Sequence, residues 1–465
     1  FKMDQSSIIS SSSGVDGGAL YVVGRSRANV TRSTLQKCSA GANGGVAAVT
    51  GGSIGIFVDD IITEGFASGS GGAMHVSTDE DASSQGGGGG GSSTGSTGSA
   101  GAPVSDLSSL EMRRVRTEGC TAHGDVDPIG SGVGIPTDGS DVVVTTGGGA
   151  VAVSHAHLHV SDCQDIMSTS HKNGGSLLVA GSGTHVIERT TFHHCFAQES
   201  GGFLSSSKTT LVLSDLTIKN ITAHAHGGAM HLMKTDITHQ GCSFNDIKTK
   251  VSGGIWMDSS TLKWPTNGDD SSSTNNRQTS TFSGASSPVG SFVDAHGTTM
   301  NRVERMDVTS SFLKATTLST STSIGSTVHV HEKSFLSMMY TNIAETTEGA
   351  GVHAAPFSFL SLSFTTVATT RKGTGIVASQ SSIVIVSDAE IHHNNVSGIV
   401  AEVGSMVNVT RTKFHGNIPT EYGGGAMFAR GAHVNVKSSE FTNNVGNGLS
   451  GGAVLCADKS KCAFE

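Results

Sequence analysis

Pairs of adjacent glycines recur along the 465-residue chain at a nearly fixed interval. Within each run of repeats, successive pairs are 26 or 27 residues apart. The pairs are Gly17-Gly18, Gly44-Gly45, Gly71-Gly72, Gly148-Gly149, Gly174-Gly175, Gly201-Gly202, Gly227-Gly228, Gly253-Gly254, Gly424-Gly425 and Gly451-Gly452. Weaker versions, at 349–354, 373–378 and 397–402, continue the pattern at an interval of 24 residues. A fixed period of this length predicts a solenoid, in which each repeat stacks on the next.

Each period contains three short alternating stretches. The first follows the glycines, as in "ALYV", where apolar Leu20 and Val22 flank a residue that varies between repeats. The second reads "LHV" at 158–160 and "VNV" at 434–436. The third pairs a large apolar residue with a small or polar residue three positions later, as in Phe414 and Asn417. Alternation with a period of two, with one face buried, predicts three strands per repeat.

Composition agrees with short strands joined by tight turns. Glycine contributes 63 residues and charged residues only 14% of the chain, and glycine suits turns that need a positive φ or a close backbone approach. The sequence therefore predicts an all-β parallel β-helix over residues 1–465, with three-strand coils of about 24–27 residues. It lacks the signatures of leucine-rich repeats, propellers and calcium-binding nonapeptide repeats.

Three stretches interrupt the period. Residues 79–105 are rich in glycine and serine, and residues 124–140 and 264–290 have a similar polar composition. Such compositions are typical of flexible segments, so we interpret all three as loop insertions from turns of a single solenoid. An alternative is that the first insertion separates two solenoids.

The tetrapeptide pair G-G-A-[apolar] and F-x-x-N occurs best in "GGAMFAR…FTNN…GGAV" (424–454) and in "GGAMHLM" (227–233). This pair resembles the repeats of the chlamydial polymorphic outer-membrane proteins. The resemblance implies a right-handed parallel β-helix of the pectin-lyase-like type that is displayed at a surface as an adhesin. In this chain, Cys or Ile often replaces the Asn of F-x-x-N, as at Cys38, Cys195 and Ile247.

Because many β-helices cleave polysaccharides, we asked whether any carboxylates of this chain could form a catalytic pair. Glycoside hydrolysis requires two carboxyl groups about 5–10 Å apart. Asp59 and Asp60 are adjacent in "FVDDIIT", but the elements that accompany such a pair in polygalacturonases do not follow. We interpret the two residues as a solvated turn and predict no catalytic residue. An enzyme would instead show a groove lined by carboxylates from neighbouring coils.

The 21 histidines raise the question of a metal site. His155, His157 and His159 alternate and should face one side of a strand, while His193-His194 and His392-His393 occupy the third-strand motif. No carboxylate or cysteine completes a four-ligand set at a recognisable spacing. We interpret these histidines as exposed strand residues and predict neither a metal nor a cofactor.

Cysteines and sequons suggest extracellular modifications. Cys456 and Cys462 are close enough in sequence to form a disulfide, whereas the other five cysteines are interpreted as small buried residues. Four N-glycosylation sequons begin at Asn29, Asn220, Asn395 and Asn408.

Charge and hydropathy limit the classes of partner and the location that the sequence supports. The net charge is −9 without a basic stripe, which disfavours nucleic acid as a partner, and no apolar run reaches the ~18 residues of a membrane-spanning helix. Both ends read like the middle of a repeat, so we expect a piece of a longer chain. We predict an extracellular or cell-surface protein with an adhesive or structural role, whose partners would be glycans, other surface proteins or copies of itself. The alternatives are a carbohydrate-active enzyme with degenerate motifs and a filament subunit.

Overall fold

A computed structural model describes residues 1–78, 107–124, 147–250, 253–263, 280–283, 290–296, 300–304, 306–308, 326–344, 346, 349–368, 370, 373–419, 424–446 and 451–465. The described segments are strands and turns. None of them is a helix with the length and apolarity needed to cross a membrane. The chain divides into two compact units, Phe1–Val212 and Leu213–Glu465.

Unit 1 contains three sets of parallel strands, which we call sheets A, B and C. Sheet A consists of Lys2–Asp4, Arg27–Thr31, Ile54–Val58, Ser109–Arg113, His157–Ser161 and Thr184–Glu188. Sheet B consists of Ser7–Ile9, Thr34–Gln36, Ile61–Thr63, Arg116–Glu118, Gln164–Ile166 and Thr191–His193, together with the two-residue strands Ser12–Ser13, Ser39–Ala40, Phe66–Ala67, Thr121–Ala122, Thr169–Ser170 and Phe196–Ala197. Sheet C consists of Leu20–Val22, Ala47–Val49, Met74–Ser77, Val151–Ser154, Leu177–Ala180 and Leu204–Ser207.

Unit 2 repeats the same three-sheet arrangement, and Thr210–Ser214 is the strand in which the two units meet along the chain. Its sheet A consists of Asp236–Gln240, Thr261–Lys263, Met300–Glu304, Phe335–Met339, Phe359–Ser363, Ile383–Ser387, Met406–Thr410, His433–Lys437 and Lys461–Phe464. Its sheet B consists of Thr217–Ala223, Ser243–Thr249, Ser280–Ser283, Met306–Val308, Asn342–Ile343, Thr366–Ala368, Glu390–His392, Lys413–His415 and Glu440–Thr442. Its sheet C consists of Met230–Met233, Ile255–Asp258, Gly290–His296, Ser326–Val330, Ala350–Ala354, Thr374–Ala378, Ser397–Ala401, Met427–Arg430 and Val454–Ala457.

The strands pair in parallel and place like residues of successive coils beside one another. In unit 2, Leu336 pairs with Leu360 and Leu360 with Val384, and all three are fully buried. Columns of aliphatic side chains therefore form the interior of each coil stack, where removal of apolar surface from water is the main stabilising term. The predicted all-β, right-handed parallel β-helix is confirmed.

The glycine pairs lie at the turn that leads into sheet C. The first glycine of every pair has φ between 59° and 82°, a region that L-residues with a side chain rarely adopt. The second glycine meets the next coil, since a Cβ on Gly18 would lie 2.2 Å from the carbonyl oxygen of Gly45. The period read from the sequence therefore marks a turn that needs both conformational freedom and close contact between coils.

The predicted insertions lie largely outside the described residues. This holds for all of 79–105, for 124–140 apart from Gly124, and for most of 264–290, in which Ser280–Ser283 and Gly290 belong to strands. In unit 1, Met74–Ser77 pairs directly with Val151–Ser154. Both strands belong to unit 1, on either side of residues 79–105 in the sequence. That residues 79–105 are a loop insertion, and do not separate two solenoids, stays a prediction. That residues 1–465 form a single solenoid stays a prediction.

The turn after sheet B contains a position that we call the corner slot. A residue with positive φ comes first, such as Lys37 or His393, and the next residue points inward. In unit 1 the slot holds Cys38, Gly65, Cys120, Ser168 and Cys195, and in unit 2 it holds Ile221, Ile247, Asn394, Asn417 and Asn444. The second member of the third-strand motif is therefore the occupant of the corner slot.

The outer face of sheet C differs from the sequence expectation. The residue between the two apolar positions was expected to vary freely on an outer face, yet Ala152, Leu178, His231 and His353 are each at most 9% exposed. Both faces of sheet C are thus buried over much of its length. Outward-facing residues of sheet A are more accessible, as Ile54 at 38% illustrates.

Candidate functional site: a groove on the outer face of sheet A

An open groove of about 390 Å³ crosses the outer face of sheet A in unit 1. Strands from four successive coils form its floor. The lining residues are Ile54, Ser109, Leu110, Glu111, His157, Leu158, His159, Thr184 and Val186. Because they come from different coils, the groove runs across the strands, from coil to coil.

Strand alternation determines which side chains face the groove. In His157–Ser161, Leu158 and Val160 point into the core, while His157 and His159 point outward. Glu111 is the register partner of His159 on the neighbouring coil and occupies the same outward column. The in-register stacking of parallel coils therefore brings a carboxylate beside an imidazole, although the two residues are far apart in sequence.

A second carboxylate approaches His159 from the other side. The Nε2 atom of His159 lies 3.4 Å from Oε1 of Glu188. Arg189 donates hydrogen bonds of 2.7 and 2.9 Å to Glu188 and holds the pKa of this carboxyl group below its usual range. Arg189 also donates to Asp162 at 2.8 Å. Glu188 is therefore an ionised acceptor of fixed orientation at the edge of the groove.

The remaining polar groups are also oriented by partners. Glu111 forms an ion pair with Arg113. The backbone N–H of Thr184 donates to Nδ1 of His157 at 3.0 Å, which leaves Nε2 of that ring as the protonated nitrogen in the neutral form. The groove thus presents one carboxylate, two imidazoles and two hydroxyls together with aliphatic side chains. This set can bind hydroxyl-rich ligands and can exchange protons with them.

The structure places the alternating histidines differently from the expectation. His157 and His159 lie in the groove, but His155 precedes the strand, has a φ of 48°, and contacts Ser154 at 3.1 Å. The prediction that all three face the same side of one strand is therefore wrong for His155. A turn residue breaks the alternation that the sequence pattern continues.

Asp59 and Asp60 do not form a catalytic pair. Asp59 is exposed and accepts a 2.6 Å hydrogen bond from Arg114. Asp60 is 1% exposed and accepts from the backbone N–H groups of Ser33 and Val58 at 2.7 and 2.9 Å. Burial raises the pKa of Asp60 to about 6. The interpretation as a solvated turn thus describes Asp59, whereas for Asp60 it is wrong.

The sequon asparagines lie at accessible positions. Asn395 is exposed, and Asn29, Asn220 and Asn408 are half-buried. Asn29 and Asn408 occupy outward positions in sheet A strands between buried neighbours. Their modification stays a prediction.

The cysteines fall into two groups. Cys456 and Cys462 form a disulfide. Cys38, Cys120, Cys163, Cys195 and Cys242 are buried thiols, and burial raises the pKa of Cys120 to about 12 and of Cys163 to about 11. A thiol that stays protonated is a poor nucleophile, so these residues act as small core side chains.

Sequence reasoning missed Glu111 as a groove residue and Glu188 as the carboxylate beside His159. Their signal lies between repeats, because aligning the second strands of successive coils places Glu111 opposite His159. Reading along a single strand shows only the histidines. The relevant neighbours in a β-helix are one coil apart, at roughly 4.8 Å between paired strands.

The comparison with protein-family models agrees with the architecture over residues 350–464. The family described as "Right handed beta helix region" matches residues 350–464. Among solved structures, the periplasmic alginate epimerase AlgG and a single-residue mutant of it are similar to this chain, with TM-scores of 0.24 and 0.25 and 9% sequence identity. Each comparison covers 95% of this chain and 78% of the other. No curated protein matches the sequence.

Proposed function

We propose that this β-helix protein binds an extended, hydroxyl-rich polymer, a glycan, along the sheet A groove of unit 1 and thereby serves an adhesive role. The observation that carries the proposal is the outward groove itself, in which Glu111, His157 and His159 from adjacent coils line one continuous surface. A polymer laid across the strands would meet one coil after another.

The groove chemistry suits sugars. Ionised carboxylates such as Glu188 accept hydrogen bonds from hydroxyl groups, and imidazoles can both donate and accept. Ile54 is 38% exposed beside them and offers apolar contact to the C–H face of a sugar ring. Because the surface is open and has no Phe, Tyr or Trp among its lining residues, we expect weak binding per sugar that adds up along a polymer.

We further propose that the protein works outside the cytosol, at a cell surface or in an extracellular space. The Cys456–Cys462 disulfide supports this location, since such bonds persist mainly in oxidising compartments. The accessible sequon at Asn395 is compatible with glycosylation on the same route. Mass spectrometry of the native protein, alkylated with and without a reductant, tests the disulfide; removal of N-glycans with a glycosidase tests the sequons.

A glycan array probed with the full chain tests the binding proposal. Binding should be reduced at least tenfold in Glu111→Gln and in His159→Asn, because each removes a polar partner from the groove. Glu440→Gln, an exposed change in unit 2, is the matched control and should bind like the wild type. The proposal is overturned if no glycan binds, or if the groove variants bind as well as the control.

A second candidate is a polysaccharide-modifying enzyme. The observation that favours it is the position of His159, which has Glu111 as its register partner on one side and Glu188 at 3.4 Å on the other. Such a set could supply an acid and a base. Incubation with acidic polysaccharides should then produce new reducing or unsaturated ends, and Glu188→Gln should abolish them. Filament assembly stays a prediction that sedimentation at increasing protein concentration can measure.

A further inference from the structure

Three histidines meet on the outer face of sheet B in unit 2, on a different sheet from the one that forms the groove in unit 1. They are His392, His393 and His415, and one nitrogen of each ring lies within 4.8 Å of a nitrogen of the others. The Nδ1 atoms of His392 and His393 are 2.7 Å apart. The cluster joins two successive coils, since His392 and His415 are register partners.

The local fold explains why these rings converge. Ile391 and Phe414 fill the inward column, so the residues that follow them, His392 and His415, point outward. Their rings stack with a centroid distance of 4.7 Å and an interplanar angle of 5°. Parallel pairing thus holds two imidazoles side by side.

The third ring comes from the turn. His393 has a φ of 54°, which directs its side chain back over the next coil. The residue beneath it is Gly416, where an added Cβ would lie 3.1 Å from Nε2 of His393. Glycine at this position therefore leaves the space that the ring of His393 occupies.

A carboxylate completes the cluster. Oε1 of Glu390 lies 2.7 Å from Nε2 of His415. If His415 donates this hydrogen bond, Nδ1 of the same ring carries the free lone pair, and a carboxylate–histidine pair of this kind orients imidazoles in metal sites. Lys413 neighbours Glu390 on one side, and Glu440 follows on the next coil, so the surrounding charge is net negative.

We propose that His392, His393 and His415 bind a divalent transition-metal ion of the Zn²⁺ type, with Glu390 as the positioning residue for His415. Zn–N distances of about 2.0–2.1 Å in a tetrahedral site place ligand nitrogens roughly 3.3 Å apart. The observed separations of 2.7 Å and up to 4.8 Å bracket this value, so small ring rotations suffice. The fourth position is open to water or to an external ligand. The ion would fasten two successive coils at the outer face of sheet B.

Titration of the full chain with Zn²⁺, in competition with a chelator of micromolar zinc affinity, tests the site. We expect one equivalent to bind in the wild type and at least tenfold weaker binding in His415→Asn. Glu390→Gln should weaken binding about 10–100-fold, as loss of the orienting partner does in other sites. Because Zn²⁺ would bind only the folded coils, it should raise the melting temperature of the wild type and leave that of His415→Asn unchanged.

His193→Asn is the matched control. His193 and His194 form the same motif in unit 1, with ring centroids 4.0 Å apart, but the next sheet B strand in the sequence, Thr217–Ala223, contains no histidine that could act as the counterpart of His415. This variant should keep the wild-type zinc affinity. If His415→Asn unfolds, Glu390→Gln and the visible absorption of the Co²⁺ complex still test the site. Equal affinity in the wild type and Glu390→Gln, or no saturable binding, overturns the proposal.

Discussion

Three corner slots of unit 1 hold thiols and three corner slots of unit 2 hold amides, on the same backbone turn. In unit 1, the Sγ atoms of Cys38 and Cys120 contact carbonyl oxygens of their own coil at 3.4 and 3.8 Å. In unit 2, Oδ1 of Asn417 accepts hydrogen bonds from the backbone N–H and the side-chain amide of Asn394, at 3.1 and 3.0 Å. The thiols mainly fill space, whereas the amides connect one coil to the next.

The amide connection repeats along unit 2. Oδ1 of Asn444 accepts from the backbone N–H and the side chain of Asn417 at 3.2 and 2.9 Å, and Thr370 donates to Asn394 at 2.9 Å. Each asparagine therefore satisfies buried donors of the preceding coil, which would otherwise cost free energy. The comparison shows that the same position can hold a small side chain that only fills space or an asparagine whose hydrogen bonds couple successive coils.

Breaking the ladder should have the largest effect. Asn417→Ala leaves two buried donors of Asn394 without their acceptor, so we expect unit 2 to lose roughly 3 kcal/mol of stability. Hydrogen exchange of peptides around residue 394, combined with urea unfolding, measures this loss. Cys120→Ala, the matched change in unit 1, should cost only about 1 kcal/mol, because this thiol contacts a carbonyl oxygen of its own coil. Equal losses in the two variants would show that the amides do not couple the coils.

The turn between sheets A and B offers a second comparison of the two units, in how their stability depends on pH. Burial raises the pKa of Asp60 to about 6, above its value in the unfolded chain. The folded state therefore keeps a proton that the unfolded state releases, and the contribution of Asp60 to stability falls as the pH rises from about 4 to about 6. We expect a loss of about 2 kcal/mol across this window, relative to Asp60→Asn.

Ser439 fills the matching position in unit 2, where its hydroxyl oxygen accepts from the backbone N–H of Thr412 at 3.1 Å. Because this hydroxyl does not titrate, the effect of Ser439→Ala should not depend on pH. Urea unfolding of the wild type and both variants between pH 4 and pH 7 makes the measurement. A pH-independent difference between the wild type and Asp60→Asn would contradict the assigned shift.

A buried histidine of unit 1 and one of unit 2 differ in whether their ring nitrogens have hydrogen-bond partners. His185 is fully buried in unit 1, and neither ring nitrogen has a hydrogen-bond partner among the described residues. Its register partner is Leu158. His185→Leu should therefore stabilise unit 1 by ~1.5 kcal/mol, because it removes unsatisfied polar atoms from an apolar column.

His353 is the control in unit 2, since its ring contacts His329 and Ser379 at 3.1 and 2.9 Å. His353→Leu should not stabilise, because it leaves these partners unsatisfied. The melting temperatures of both variants, measured by thermal unfolding, show whether only His185→Leu stabilises the protein. A lower melting temperature for His185→Leu would mean that the ring has a role that its surroundings do not reveal.

The smallest effect should come from the exposed ion pairs, since each unit contains one of the same kind at the same turn. Arg114 pairs with Asp59 in unit 1 at 2.6 Å, and Arg411 pairs with Asp388 in unit 2 at 2.6 Å. Exposed pairs are screened by water and salt and contribute little. Arg114→Ala and Arg411→Ala should leave the unfolding midpoint unchanged within error. A clear shift in either variant would mean that the difference between the units is not confined to their interiors.

The sequence by itself determined the fold class. Glycine pairs at a period near 26 residues could be read directly, because a turn that needs positive φ and close contact between coils accepts no other residue. Alternation within each period then indicated three strands and the inward face of each, although not the burial of the outer face of sheet C. The third-strand motif indicated the corner slot, although not that its asparagines would form a ladder.

Tertiary structure decided which outward side chains meet. Glu111 and His159, or His392 and His415, become neighbours only when coils of unequal length stack in register, and insertions between coils hide that register in the sequence. Turn geometry decided which neighbouring residues are buried and which side chains fit beside one another. Asp59 faces solvent while the adjacent Asp60 is buried, and Gly416 leaves space for His393. Local patterns specify the coil, because the coil depends on backbone geometry, whereas sites depend on contacts between coils.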